Sequence, residues 1–364
     1  MSLSVAIRAR LSARFSLDVA FSAPPGVTIL FGASGSGKTT VLRAVAGLLR
    51  PDHGAISIGS RVLFDASLRK DVSTSDRHIG YVFQHLALFP HLTVAANLEF
   101  GLRDEPAARR RQKIRDVAES FRIEHLLERR PAALSGGERQ RTALARSLVT
   151  DPAVLLLDEP LSALDLPAQS RIIDDLRRWN ESHRIPILYV THAHREVFAL
   201  GERVVVFEDG RVIATGTPYD VLEMPEHPSL ATLAGFENIV PATVVARKHE
   251  TGTMQCRLTG ADAELEVPLA RGDVGAQVRI AVRAGDVLLA TERPHGLSAR
   301  NVLPGTLIAL TRDGTTVVAC VDAGVPFVAH LTPTSADSLR LLVGQRVWLV
   351  IKTYSCRSAL SWHH

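Results

Sequence analysis

The sequence predicts an α/β domain with a mostly parallel core sheet, followed by an all-β, OB-like tail. Three observations carry that reading. Gly32-Ala33-Ser34-Gly35-Ser36-Gly37-Lys38-Thr39 fits G-x-x-x-x-G-K-[ST], a phosphate-cradling P-loop set between a strand pattern and a helix pattern. Continuous apolar runs, Val154-Leu155-Leu156-Leu157 and Ile187-Leu188-Tyr189-Val190, alternate with amphipathic helical segments, as strands buried on both faces should. Beyond about residue 235, helical periodicity gives way to short strand patterns and turn residues.

In chain order, Phe15-Ser16-Leu17-Asp18-Val19-Ala20-Phe21 alternates apolar and polar residues, so residues 1–23 read as strands. Pro24-Pro25-Gly26 turns the chain into Val27-Thr28-Ile29-Leu30-Phe31, the strand that delivers the P-loop. Val41, Leu42, Val45, Ala46 and Leu49 then recur at helical spacing, with Pro51 as the stop. Strand patterns return at 54–62 and in Ile79-Gly80-Tyr81-Val82-Phe83, which delivers Gln84. Residues 97–127 read as mostly helical, broken near Pro106, with Ile114, Val117, Ala118, Phe121 and His125 on one face. Residues 134–148 and 166–182 read as helices, the second ending before Pro186. Val204-Val205-Val206-Phe207 and Arg211-Val212-Ile213-Ala214 read as a hairpin closed by Asp209-Gly210.

The tail repeats itself. Asn238-Ile239-Val240-Pro241-Ala242-Thr243-Val244 is echoed by Asn301-Val302-Leu303-Pro304-Gly305-Thr306-Leu307. Val274-Gly275-Ala276-Gln277-Val278, ending at Arg283, is echoed by Val343-Gly344-Gln345-Arg346-Val347, ending at Lys352. The expected organisation is a P-loop α/β domain at 1–235, a first OB-like unit at 236–296 and a second at 297–364.

Composition narrows the class. Charged residues are 22% and hydrophobic ones 46%, within the ordinary globular range. No apolar run approaches the roughly 18–20 residues that cross a bilayer, and arginines at 8, 10 and 14 interrupt any leader-like stretch. The expected protein is therefore cytosolic, with any membrane role exercised through a partner. Cys256, Cys320 and Cys356 are scattered, which fits neither a zinc site nor a disulfide framework. The net charge of +4 is dispersed and aromatics are only 5%, so nucleic acid is not an expected partner. The densest basic run, Arg109-Arg110-Arg111-Gln112-Lys113, reads as a solvated helix face.

The residues at the strand ends define the chemistry. Glycines at 32, 35 and 37 let backbone amides close around phosphate oxygens, and the following helix adds the positive end of its dipole. Lys38 reaches the β- and γ-phosphates, and the Thr39 hydroxyl, with Thr40 beside it, faces Mg²⁺. Asp158, at the end of a buried strand, is the expected metal partner. Glu159 is placed as the general base toward water. Gln84 and His192 also follow strands, so both project toward the same phosphates, Gln84 as a third ligand of the metal. Ser135-Gly136-Gly137 opens a helix with a hydroxyl and free amides, a second phosphate-binding surface. One nucleotide does not need two such surfaces from one subunit, so each P-loop should be closed by the Ser135 segment of another copy in a head-to-tail homodimer.

Residues 26–220 resemble the nucleotide-binding subunit of an ABC transporter. Gly32 to Thr39 match the Walker A, Tyr-Val-Phe-Gln ending at Gln84 the Q-loop, and Leu-Ser-Gly-Gly-Glu at 134–138 the family signature. Leu-Leu-Leu-Asp-Glu-Pro at 155–160 matches the Walker B with its catalytic glutamate, Ser162-Ala163-Leu164-Asp165 the D-loop, and His192 the H-loop. The resemblance implies ATP and Mg²⁺ as cofactors and ATP-driven closure of the homodimer at the cytoplasmic face of the membrane. It implies two permease subunits docking near Leu86 to Asn97, where His85 and His91 read as surface residues. The family stacks an aromatic on adenine. Tyr is absent from the usual place, and Phe15 is the candidate, at shortened spacing.

The tail points to cargo. Leu297-Ser298-Ala299-Arg300-Asn301-Val302-Leu303, with Leu331-Thr332-Pro333 and Val350-Ile351-Lys352, resembles the molybdate-binding Mop domain over residues 297–360. Ser298, Arg300, Lys352 and Thr353 would then offer cationic and hydroxyl donors to a tetrahedral dianion. The implied function is the ATPase of a molybdate or tungstate importer, fed indirectly by a periplasmic oxyanion-binding protein. Importers of sulfate, ferric iron or sugars carry similar tails. A soluble ABC ATPase acting on nucleic acid or the ribosome is the alternative from another class. It is disfavoured by the single cassette and the absence of a heptad run.

Overall fold

The computed structural model describes residues 1–222, 235–270 and 272–360. Internal packing divides the chain into two compact units, Met1–Pro218 and Tyr219–His364.

In the first unit, β1 (Leu3–Arg10) and β2 (Ser16–Ala23) form an antiparallel hairpin, with alternate residues of β1 buried. β3 (Gly26–Gly32), buried throughout, enters the P-loop and then α1 (Lys38–Ala46). β4 (His53–Ile58), β5 (Arg61–Asp65) and β6 (Lys70–Asp71) extend the hairpin side, and β7 (Ile79–Val82) returns to the core. A helical segment follows: α2 (Val94–Glu99), α3 (Ala107–Ser120) and α4 (Gly136–Leu148). β8 (Val154–Asp158), α5 (Leu166–His183), β9 (Pro186–Val190), α6 (His194–Leu200), β10 (Arg203–Glu208) and β11 (Arg211–Gly216) complete the unit.

One 11-stranded sheet runs β6-β5-β4-β1-β2-β11-β10-β3-β9-β8-β7. Its β10, β3, β9, β8 and β7 are parallel, and β1, β2, β4, β5 and β6 antiparallel. The alternating, half-polar strands thus occupy the antiparallel part, and the continuous apolar runs the parallel core. The Asp209-Gly210 turn has both residues at positive φ, 46° and 77°, as a two-residue hairpin turn requires.

Three local expectations are corrected. The first helix stops at Ala46 rather than Leu49, because Gly47 takes φ 80° and its amide turns back to the Ala44 carbonyl. The buried Arg77 guanidinium then satisfies the Ala44 and Val45 carbonyls, so Pro51 is not the stop. His125 does not share the buried face of Val117, Ala118 and Phe121. Arg122 at φ 53° ends α3, and a 3-10 turn buries Leu126 and exposes His125. The helix expected at 166–182, α5, runs to His183 and is closed by Arg184 at φ 48°.

Among its described residues the second unit is built mainly of β-strands, with a short helix at Pro333–Ser338. Its strands are β12 (Asn238–Lys248), β13 (Thr253–Leu258), β14 (Glu264–Pro268), β15 (Gln277–Val282) and β16 (Leu288–Ala290). Then come β17 (Asn301–Asp313), β18 (Thr316–Asp322), β19 (Pro326–Leu331), β20 (Arg346–Ile351) and β21 (Cys356–Leu360). Two five-stranded sheets result, β14-β13-β12-β15-β21 and β16-β20-β17-β18-β19. Each sequence repeat therefore sends its last strand to the other repeat's sheet. Val240, Val278 and Val282 share one core with Leu307, Val347 and Leu349. The repeats interlock across the residue 296/297 division.

Candidate functional site

The P-loop, Gln84, Glu159 and His192 follow β3, β7, β8 and β9, the adjacent parallel strands whose carboxyl ends form the ligand side of such a sheet. Gly32 has φ 147°, and a Cβ there would meet the Phe207 carbonyl at 2.3 Å. Gly37 has φ 105°, and a Cβ there would lie 2.8 Å from Leu17 Cδ1 and 3.4 Å from Phe15 Cζ. The second contact places the half-buried Phe15 beside the P-loop. Ala33, Ser34 and Gly35 are exposed, whereas Ser36, Gly37 and Lys38 are buried.

Lys38 Nζ donates to the Gly32 and Ala33 carbonyls at 2.8 and 2.7 Å and to Ser36 Oγ at 3.3 Å. Burial pulls its ammonium below the ordinary lysine value, opposed by Glu159 and Asp158. The Thr39 hydroxyl donates to Asp158 Oδ1 at 2.9 Å, and the Tyr81 hydroxyl donates to Oδ2 at 3.4 Å. Burial raises the Asp158 carboxyl above its usual range, against the Thr39 and Tyr81 bonds. Burial first, and then the Asp158 charge, raises the Tyr81 phenol.

Glu159 takes φ 45°, uncommon for a residue with a side chain. Its amide donates to the Val190 carbonyl at 3.1 Å, and Ser162 Oγ donates to its carbonyl at 3.1 Å. This backbone turns the side chain between two partners. Gln84 Nε2 donates to Oε2 at 3.4 Å, and His192 Nδ1 lies 3.4 Å from Oε1. Gln84, expected among the metal ligands, thus stands with Glu159, while Thr39 and Asp158 form the other pair.

Ser135 caps α4 with a full capping box. Its Oγ accepts the Glu138 amide at 3.3 Å, and Glu138 Oε2 accepts the Ser135 amide at 2.7 Å. That backbone bond holds the Glu138 carboxyl below its usual range. A Cβ at Gly136 or Gly137 would meet Leu164 at 3.2 Å or Ala168 at 3.6 Å. The signature segment therefore packs beside the D-loop and the start of α5, and Ser135 itself is exposed.

Three residues of this region were missed by motif reading. Tyr81, which lies in the Tyr-Val-Phe-Gln segment without a role assigned by it, bonds the Asp158 carboxylate. Arg146, near the end of α4, donates to the Leu86 and Ala87 carbonyls at 3.1 and 2.8 Å, where the chain passes through positive φ twice. The fully buried Asn97 accepts the Phe89 amide at 2.9 Å and donates to the Phe89, Leu92 and Thr93 carbonyls, pinning the loop between Gln84 and α2.

In the tail, Asn301 pairs with Ile351, so Arg300 and Lys352 leave β17 and β20 side by side, both exposed. Ser298 is exposed too. Thr353 is buried, and its hydroxyl donates to Glu266 Oε1 at 3.2 Å, a commitment the sequence did not announce. Among the described residues no helix is long and apolar enough to cross a membrane.

Residues 17–162 match the ABC transporter family and residues 297–357 the TOBE domain. The molybdenum import ATP-binding protein ModC of Rhizobium etli is 41% identical over 357 residues, covering 97% of this chain and 99% of its own. The dimeric structure of the bacterial ABC transporter cassette MJ0796 matches with TM-score 0.51 and 26% identity, over 60% of this chain and 99% of that one. A dimeric post-hydrolysis state of MJ0796 bound to ADP and Pi matches with TM-score 0.51 and 27% identity over the same shares. With its P-loop, signature and TOBE segments in place, this chain belongs to the ABC transporter ATP-binding family, among the molybdenum import ATP-binding proteins.

Proposed function

We propose that the protein is the ATP-hydrolysing subunit of a molybdate importer, working as a homodimer at the cytoplasmic face of the membrane beside two permease subunits. The observation that carries the hydrolytic part is the clustering of Lys38, Asp158, Glu159, Gln84 and His192 at adjacent strand ends. Nearly full-length likeness to a molybdenum import protein supports the cargo.

Lys38 exchanges the loop carbonyls for phosphate oxygens, and the P-loop amides hold the remaining charge. The site fits a small divalent cation, since the Thr39 hydroxyl and the buried Asp158 carboxylate offer hard oxygens side by side. Mg²⁺ held there, with Gln84 as a further oxygen donor, supplies charge neutralisation to the triphosphate. Glu159 accepts the proton of the attacking water, and His192 and Gln84 hold its carboxylate in place. Ser135, Gly136 and Gly137 of one copy close the P-loop of the other. The dimeric MJ0796 cassettes support this arrangement, as does the exposure of Ser135 at the start of α4. The permeases dock near Leu86 to Asn97, on the loop that Arg146 and Asn97 brace. Ser298, Arg300 and Lys352 take a tetrahedral oxyanion, and Thr353 joins them only when its hydroxyl leaves Glu266.

Mixing tests the shared site. Lys38→Ala and Ser135→Arg copies are each expected to be inactive, and their mixture is expected to regain activity at the one intact interface. No rescue between folded, pairing variants removes the shared site. Isotopic molybdate uptake by vesicles carrying the permeases tests the cargo, and uptake of sulfate alone reassigns it.

A further inference from the structure

The two tail repeats correspond residue by residue at their strand ends. Asn238 of β12 pairs with Val282 of β15, and Asn301 of β17 pairs with Ile351 of β20. One step outward, Glu237 therefore corresponds to Arg300 and Arg283 to Lys352, and two steps outward Ala284 corresponds to Thr353. The asparagines do the same work in each half. Asn238 accepts the Val328 amide at 2.6 Å and donates to the Val328 carbonyl at 2.9 Å. Asn301 accepts the Glu266 amide at 2.7 Å and donates to the Glu266 carbonyl at 2.9 Å. Both side chains are buried, so the frames around the two strand ends are alike.

The charges set into those frames are not. In the first repeat the Glu237 carboxylate accepts the Ala284 amide at 2.7 Å, next to Arg283, whose guanidinium lies 4.6 Å from the Phe236 ring centre. In the second repeat the place of this carboxylate is taken by the cation Arg300, beside Lys352. An acid at that end, Glu266, accepts the Thr353 hydroxyl at 3.2 Å and lies 3.8 Å from Lys248.

We propose that Glu237 is a resident anion. The first repeat is sealed by the chain's own carboxylate, and the second alone accepts a soluble tetrahedral dianion, so each chain takes up one oxyanion and not two. This rests on the oxyanion reading of the second repeat given above. A carboxylate tethered beside its donor, the Ala284 amide, competes at high effective concentration and repels a second anion. Arg300 reverses the sign of that field. Lys248 offsets Glu266, which engages Thr353 and leaves Arg300, Lys352 and Ser298 facing solvent.

Equilibrium dialysis of the full chain against tungstate, counted by mass spectrometry, tests this, with saturating Mg-ADP so that the P-loop does not contribute. The expected uptake is one tungstate per wild-type chain, two for Glu237→Arg and none for Arg300→Glu, with unchanged circular dichroism. Glu237→Ala carries the same expectation of a second tungstate should the arginine variant fail to fold. No uptake by the wild type removes the oxyanion reading itself. Two per wild-type chain or one per folded Glu237 variant overturns the sealing role and leaves that reading standing, whereas unchanged uptake by Arg300→Glu removes the Arg300 site on which both rest.

Discussion

His192 presents Nδ1 to Glu159 Oε1 at 3.4 Å, across the ends of two neighbouring strands. The left-handed Glu159 backbone makes this approach possible. Such a conformation costs on the order of 1–3 kcal/mol and persists because the Val190 and Ser162 bonds over-determine it.

Glu159→Gln keeps that geometry and removes the base. It is expected to bind ATP as the wild type does and to turn over at least about a hundredfold more slowly. Nucleotide binding and single-turnover hydrolysis measured together check this, and near-normal turnover reassigns the base.

Asp158 places function against stability. Burial raises its carboxyl, Glu159 adds to the rise, and Thr39, Tyr81 and Lys38 oppose it. Between the ordinary carboxyl value and the raised one, the folded protein holds a proton that the unfolded chain has released. Stability therefore falls as pH rises through that window. Asp158→Asn is expected to melt above the wild type at pH 7 without nucleotide, by a margin that shrinks toward pH 4, and to lose turnover. Calorimetric melts across that range read the margin; a constant one removes the explanation.

Arg146 ties the signature helix to the loop after Gln84 through a planar fork, one nitrogen to each carbonyl, that the single nitrogen of lysine does not reproduce. Arg146→Lys is expected to lower stability by about 1–3 kcal/mol. Turnover should fall while ATP affinity stays near wild type. Denaturant melts, kcat and nucleotide titration separate these effects. Equal losses in affinity and turnover point to P-loop damage instead.

Burial pushes the Cys256 thiol up to about 11 and the Cys356 thiol to about 12. Both stay protonated at pH 8 and should resist alkylation in the native protein, while the half-buried Cys320 is modified first. Peptide mapping after iodoacetamide treatment checks the order.

Much of the nucleotide site was legible because its chemistry needs contiguous residues. Gly32 to Thr39, Leu134 to Glu138 and Asp158-Glu159 each act as a short unbroken segment, so order along the chain identifies them. The parallel core was legible for a similar reason, since burial on both faces demands uninterrupted apolar runs at Val154 to Leu157 and Ile187 to Val190. Helix ends were less so. Gly47 and Arg122 decide them by positive φ, and for Arg122 no side-chain preference announces it.

The amino-acid order by itself determined the P-loop, the sequence of strand-end motifs and the duplication of the tail, because each is local in the chain. Only the tertiary structure decided that Tyr81 bonds Asp158, that Arg146 braces Leu86 and Ala87, and that β16 and β21 exchange sheets. Those bonds join residues dozens of positions apart. Burial makes each unpaired polar group costly enough to require its distant partner, and nothing in the nearby sequence names which partner that is.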